Sequence, residues 1–167
     1  MLNNQVISTE YVQWRTLILN TTFGEPVEHH PNQVYGMLMD VGMGNEQRQF
    51  LGISIYAFNT GEASLKTSIG SGVMNLGDHP QLKGIPQKIV ELGQELLPFA
   101  FFASSMPFAE AGHVRFHFIT TSGIWSYDCG LAELRPGHIF LDVFNQFSRI
   151  KFVADRFMDQ INSQRRS

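Results

Sequence analysis

The stretch YAFNTGEASLKTSIGSGVMNLGDHP, residues 56–80, decides the fold. Between Glu62 and Ile69 the residues alternate, with Ala63, Leu65, Thr67 and Ile69 on one side of an extended chain and Glu62, Ser64, Lys66 and Ser68 on the other, because successive strand side chains point to opposite faces. The run Phe50 to Phe58 before it alternates too, and Asn59-Thr60-Gly61 between them is turn material, so the two segments predict a hairpin. A hairpin makes the pairing antiparallel, since parallel neighbours need a long crossover. Gly70 to Pro80 then leads through three glycines toward a helix.

Upstream, Val34 to Val41 is almost continuously apolar and predicts a strand in the middle of the sheet, with Gly42 to Gln47 as the turn that follows. The loop Asn20 to Pro31 carries His29 and His30, and before it Ser8 caps a helix marked by Tyr11, Trp14, Leu17 and Ile18. Downstream, Ile85, Ile89, Leu92 and Leu96 mark a second helix that Pro98 ends. The phenylalanines of the Phe99 to Phe108 segment are expected to cap the core. His113 to Thr121 alternates again, Thr121-Ser122-Gly123 turns, and Ile124 to Cys129 pairs back. Val143, Phe147, Ile150, Ala154, Phe157 and Ile161 recur at helical spacing in a third helix.

The expected fold is α+β: a five-stranded, mainly antiparallel sheet (about 34–42, 48–58, 62–70, 113–121 and 124–130) covered by helices near 8–20, 85–97 and 141–162, in the order α-βββ-α-ββ-α. One sheet face is expected to be core and the other wet. The predicted core is Leu38, Leu51, Ile53, Ile55, Leu65, Ile89, Leu92, Phe116, Phe118, Phe147, Ile150 and Phe157. At 167 residues and 43% apolar content, the chain fits a single domain spanning 1–167.

A net charge of −3 with 16% charged residues offers little attraction for phosphate backbones or anionic lipid, so neither nucleic acid nor membrane is an expected partner. Cys129 is the single cysteine and the N-terminus does not read as a secretion signal, so the expected location is cytoplasmic. The longest apolar run, Leu96 to Ala103, is too short to span a bilayer.

No motif reaches a strong catalytic, metal or nucleotide signature. Gly70-Ser71-Gly72 begins a dinucleotide fingerprint, but Asn75 stands where its third glycine belongs; Gly72 to Gly77 has P-loop spacing, but Asp78-His79 replaces the lysine and hydroxyl residue. Gly52-Ile53-Ser54-Ile55-Tyr56 lacks the last glycine of a nucleophile elbow, and Cys129 reads as a small core residue. His113, Arg115 and His117 form a polar row on one strand face, the imidazoles roughly 7 Å apart by strand rise. The arginine between them disfavours a divalent cation and suits a carboxylate. Asp78, His79 and Asp128 are the residues able to extend this row into a site. No cofactor and no metal is expected.

The segments Tyr35-Gly36-Met37-Leu38-Met39-Asp40, Gly61-Glu62-Ala63-Ser64 and Gly70-x-Gly72, with His79, resemble a group of small bacterial proteins that share a YGxLMD-type strand and a glycine-rich turn. The resemblance implies no activity. The element order is similar to profilin-like and roadblock-like folds, which implies a scaffold or dimerising regulator.

The expected function is therefore a non-enzymatic protein-binding or regulatory module, a toxin-neutralising (immunity-type) partner being one form of it. Binding at His113, Arg115, His117, Asp78 and His79, and docking or self-association through the sheet face or the Phe99 to Phe108 segment, go with that reading. The alternative is a small hydrolase or transferase with its site at the glycine-rich loop and the His113, Arg115 and His117 row.

Overall fold

A computed structural model describes residues 7–21, 32–44 and 52–166; Leu51, residues 48–50 of the expected second strand, and the loop positions His29 and His30 lie outside them. The strands are β1 (Val34–Gly42), β2 (Gly52–Phe58), β3 (Ala63–Thr67), β4 (Gly72–Val73), β5 (Phe101–Phe102), β6 (His113–Thr120) and β7 (Gly123–Gly130), and the helices are α1 (Thr9–Leu19), α2 (Ile85–Leu96) and α3 (Leu141–Arg166). The fold is α+β with one sheet in the order β4-β3-β2-β1-β6-β7-β5. Every neighbouring pair is antiparallel.

Among the described residues the sheet has seven strands, not five, because the chain adds a two-residue strand at each edge. Neither is visible as periodicity, since two residues cannot establish a period. β4 forms when the glycine-rich segment folds back on β3, pairing Leu65 with Val73 and Lys66 with Gly72. Gly70, at φ +97°, makes that return turn. The central position expected for Val34 to Val41 is found: β1 lies between β2 and β6, its register running from Met37 opposite Ala57 to Met37 opposite Phe118.

Both sheet faces are covered. α2 and α3 pack on one, over Met37, Met39, Ile55, Leu65, Phe116 and Phe118, and α1 packs on the other, over Leu38, Tyr56, Phe58 and Ile119. The expectation of a wet face is thus overturned: Ser54, Ser64 and His117 are all completely buried. The sheet face also offers no docking surface through Met37, Met39 and Tyr56, which the protein buries in its own structure.

α1 begins where the Ser8 hydroxyl accepts the Tyr11 N–H, and the Ser8 N–H reaches Ser68 O at 2.7 Å, tying the helix start to the turn after β3. On the opposite face the core centres on rings: Phe140 stacks on Tyr127 with centroids 3.9 Å apart, and Phe116 lies 5.1 Å from Phe140. Of the predicted core, Leu38, Ile55, Leu65, Ile89, Phe116, Phe118, Phe147 and Ile150 are buried, Ile53 and Leu92 partly so. Phe157 is 37% exposed because the buried side chains of α3 stop at Ala154. Among the described residues no helix is long and apolar enough to cross a membrane.

Candidate functional site

Cross-strand register assembles a polar cluster under α1. Asp40 on β1 stands opposite Ser54 on β2 and Arg115 on β6, and Arg115 stands opposite Asp128 on β7. One step along, His117 faces Ser126. From above, α1 contributes Tyr11 and Arg15, which share a helix face at i and i+4.

Arg15 and Asp40 form the centre, and both are buried. The guanidinium donates to Asp40 Oδ2 from Nε at 3.0 Å and from Nη2 at 2.6 Å. It also donates to Met106 O at 2.8 Å and Pro107 O at 3.2 Å, fastening the 103–110 segment over the sheet. Asp40 Oδ1 accepts the Ser54 hydroxyl, whose oxygen lies 2.6 Å from the Tyr11 phenol. Burial alone raises the Asp40 pKa, but the His117 hydrogen bond and the Arg15 charge outweigh it and hold the carboxyl below its ordinary range.

His117 is fully buried, with Nε2 3.2 Å from Asp40 Oδ2 and Nδ1 2.7 Å from Ser126 Oγ. Burial lowers its pKa below 6.5; Asp40 opposes that shift, and Arg15 and Arg115 reinforce it. The ring is therefore neutral at pH 7, and the neighbouring carboxylate favours one of its two tautomers. A carboxylate only accepts, so Nε2 carries the hydrogen and donates to Asp40, which leaves Nδ1 to accept the Ser126 O–H. Arg15 Nη2, 3.2 Å from Nε2, works against that tautomer: with the hydrogen on Nδ1 instead, the ring accepts from the guanidinium and donates to Ser126.

A second cluster sits at the rim. His113 Nδ1 donates to Asp128 Oδ1 at 2.8 Å, and Arg115 contacts Asp128 Oδ2 through Nε at 3.1 Å and Nη2 at 3.0 Å while donating to Pro107 O from Nη1. The hydrogen bond to Asp128 raises the His113 pKa. Beside it, Phe101, Phe102, Ala103, Pro107, Arg115 and Ser126 line a cleft of about 440 Å³. Ser126 stands opposite Phe101 across the β7/β5 pair.

The row His113, Arg115 and His117 is thus real as register and divided as chemistry: one imidazole is sealed in the interior and one is at the rim. Asp78 and His79 do not join it. They follow β4 in the chain, where Asp78 shares a hollow with Tyr56 of β2 and Glu62 at the β2–β3 turn and His79 lies against Phe157 of α3. His79 Nδ1 accepts the Gln81 N–H, and the ring meets Phe157 edge-on. Asp78 lines a polar hollow at the start of α2 with Glu62, Lys83 and Gln87, where two carboxylates oppose an anion.

Sequence reading missed Arg15, Tyr11, Asp40, Ser54 and Ser126. A signal for two of them existed: Arg15 interrupts the apolar face made by Tyr11, Trp14 and Ile18, and Asp40 interrupts an apolar strand. Two buried charges of opposite sign require each other. Among the described residues the donor atoms of Cys129, Glu133 and His138 lie within 4.8 Å of one another. Glu133 and His138 already accept the backbone N–H groups of Gly130 and Phe140, and burial first of all pushes the Cys129 thiol up to about 11.

Compared with known protein families, curated proteins and solved structures, the chain matches none.

Proposed function

We propose that the protein is a binding module that seats an apolar segment of a partner protein on the β5 edge of its sheet. One observation carries this reading: Phe99, Phe101 and Phe102 are 53%, 76% and 60% exposed at one edge, beside the cleft floored by Ser126 and Arg115. The segment expected to cap the core presents these rings outward instead. Each such ring contributes about 1.5–3 kcal/mol when a partner buries it, and grouped aromatic anchors dominate interface energetics.

The geometry revises the role of the polar row. Arg115 is held by Asp128 and Pro107 O, and His117 is enclosed, so neither is a free receptor for a partner carboxylate. Aromatic contact supplies affinity, and the His113, Arg115 and Asp128 cluster orients the rim.

The test is a titration with a partner recovered from the native host and then purified. Phe101→Ser and Phe102→Ser each weaken binding at least about tenfold. Phe152→Ser, an equally exposed ring on α3, leaves binding unchanged. Wild-type affinity in both β5 variants would refute the assignment.

A further inference from the structure

The Asp40, His117 and Ser126 chain has an order that a docking floor does not need. Its burial is graded: carboxylate and imidazole are completely enclosed, while Ser126 is half-buried and lines the cleft. In the tautomer with its hydrogen on Nε2, toward the carboxylate, the ring accepts the serine hydrogen at Nδ1. Neutral imidazole is the form that can take a proton, and the hydroxyl hydrogen is already directed toward it.

We infer that Ser126 is an activated nucleophile, with His117 Nδ1 as its base and Asp40 as the residue that positions the ring, able to accept an acyl group from an ester or thioester. Phe101, opposite Ser126 on the same sheet face, offers an apolar rest for the acyl chain. Arg115 lines the same cleft with its guanidinium paired to Asp128, so this wall supplies little net positive charge for a developing oxyanion. In the step, Ser126 Oγ bonds to the carbonyl carbon as its hydrogen passes to Nδ1. The bond from that carbon to the leaving oxygen or sulfur breaks, and the proton departs with the leaving group. Water then releases the acyl group by the same proton route, with nothing oxidised or reduced.

The surroundings also set the pace. His117 faces Asp40 from β1, Arg15 from α1, Arg115 on its own strand and Ser126 from β7. Asp40 favours the imidazolium formed during transfer and the two arginines oppose it, which places the reactivity at the slow end of base-assisted serine chemistry.

The intact protein is treated with a fluorophosphonate, which transfers its phosphorus to oxygen as the P–F bond breaks and fluoride leaves with the serine proton. Ser104 and Ser105 line the same cleft and act as internal controls. The expected result is one adduct, at Ser126, formed on the order of a hundredfold faster than at either control, lost in Ser126→Ala and slowing only as pH falls toward the native His117 pKa, which burial holds below the ordinary histidine value. In Ser126→Cys, which covers an Ala variant that fails to fold, iodoacetamide modifies residue 126 well before Cys129. No adduct, an adduct shared with Ser104 and Ser105, labelling that persists in Ser126→Ala, or no preference for residue 126 in the Cys variant overturns the inference. None of these outcomes bears on docking, which the Phe101 titration reads as affinity.

Discussion

Replacing Arg15 by Met keeps an unbranched apolar stem and removes the guanidinium that is hydrogen-bonded to Asp40. The carboxylate is completely buried and Arg15 is nearly so, so the variant leaves an uncompensated charge in the interior, which costs about 3–5 kcal/mol. At about 2–4 °C per kcal/mol for a domain of this size, the melting temperature falls by roughly 6–20 °C. Urea titration at pH 7.5 measures the loss directly. The second arm isolates the charge: in Arg15→Met/Asp40→Asn the amide oxygen can still accept the His117 N–H while its NH2 donates to the Ser54 oxygen, and nothing ionised is stranded. That double variant is more stable than Arg15→Met alone, though below wild type because the Met106 and Pro107 carbonyls also lose a donor. A loss under about 1 kcal/mol for the single variant, or a double variant that is less stable than it, would show that the pair does not hold α1 to the sheet.

Acid destabilises the protein before its ordinary carboxylates titrate: the His117 pKa is depressed on folding, so below about 6.5 the unfolded chain binds a proton that the native state refuses, and stability drops as pH falls toward the native value. Urea midpoints at pH 7.5 and 5.5 check this, and His117→Gln flattens the difference. His113 behaves oppositely, since its hydrogen bond to Asp128 raises its pKa; NMR titration places it above 6.5 in the wild type and lower in Asp128→Asn, and what it contributes to stability is lost as pH rises through its native value. Phe147→Ala costs about 3–5 kcal/mol from the centre of the ring cluster, whereas Phe157→Ala, on the projecting part of α3, costs less than half as much in the same titration. Gly77→Ala places a Cβ 1.8 Å from Gly61 O, and the forced shift costs about 1–3 kcal/mol.

Helices and long strands were legible because each repeats its period several times, as in the Val143, Phe147, Ile150 and Ala154 stripe that the core receives. The three-layer arrangement was not. Serines 54 and 64 and His117 occupy alternating strand positions that read as solvent-facing, and only pairing with α1 and the neighbouring strands makes them interior. Arg15 and Asp40 are 25 positions apart, and Arg15 and His117 102 apart. No local window contains such partners. The opposite error arose at Phe99 to Phe102, where apolar composition suggested burial but a two-residue strand at the sheet margin leaves the rings outside.

The margins of the sheet carry a consequence for how any partner is read. A chain that recognises extended peptides by strand addition needs a run of open backbone donors and acceptors, and the described sheet ends in Gly72–Val73 on one side and Phe101–Phe102 on the other. Two residues template almost no ladder. Such brief edges protect against indiscriminate cross-β growth, so the exposed rings of β5 can be tolerated without inviting fibrils. Recognition there is consequently a matter of side-chain shape, and a partner is selected by the contour of its apolar residues more than by the length of strand it can offer.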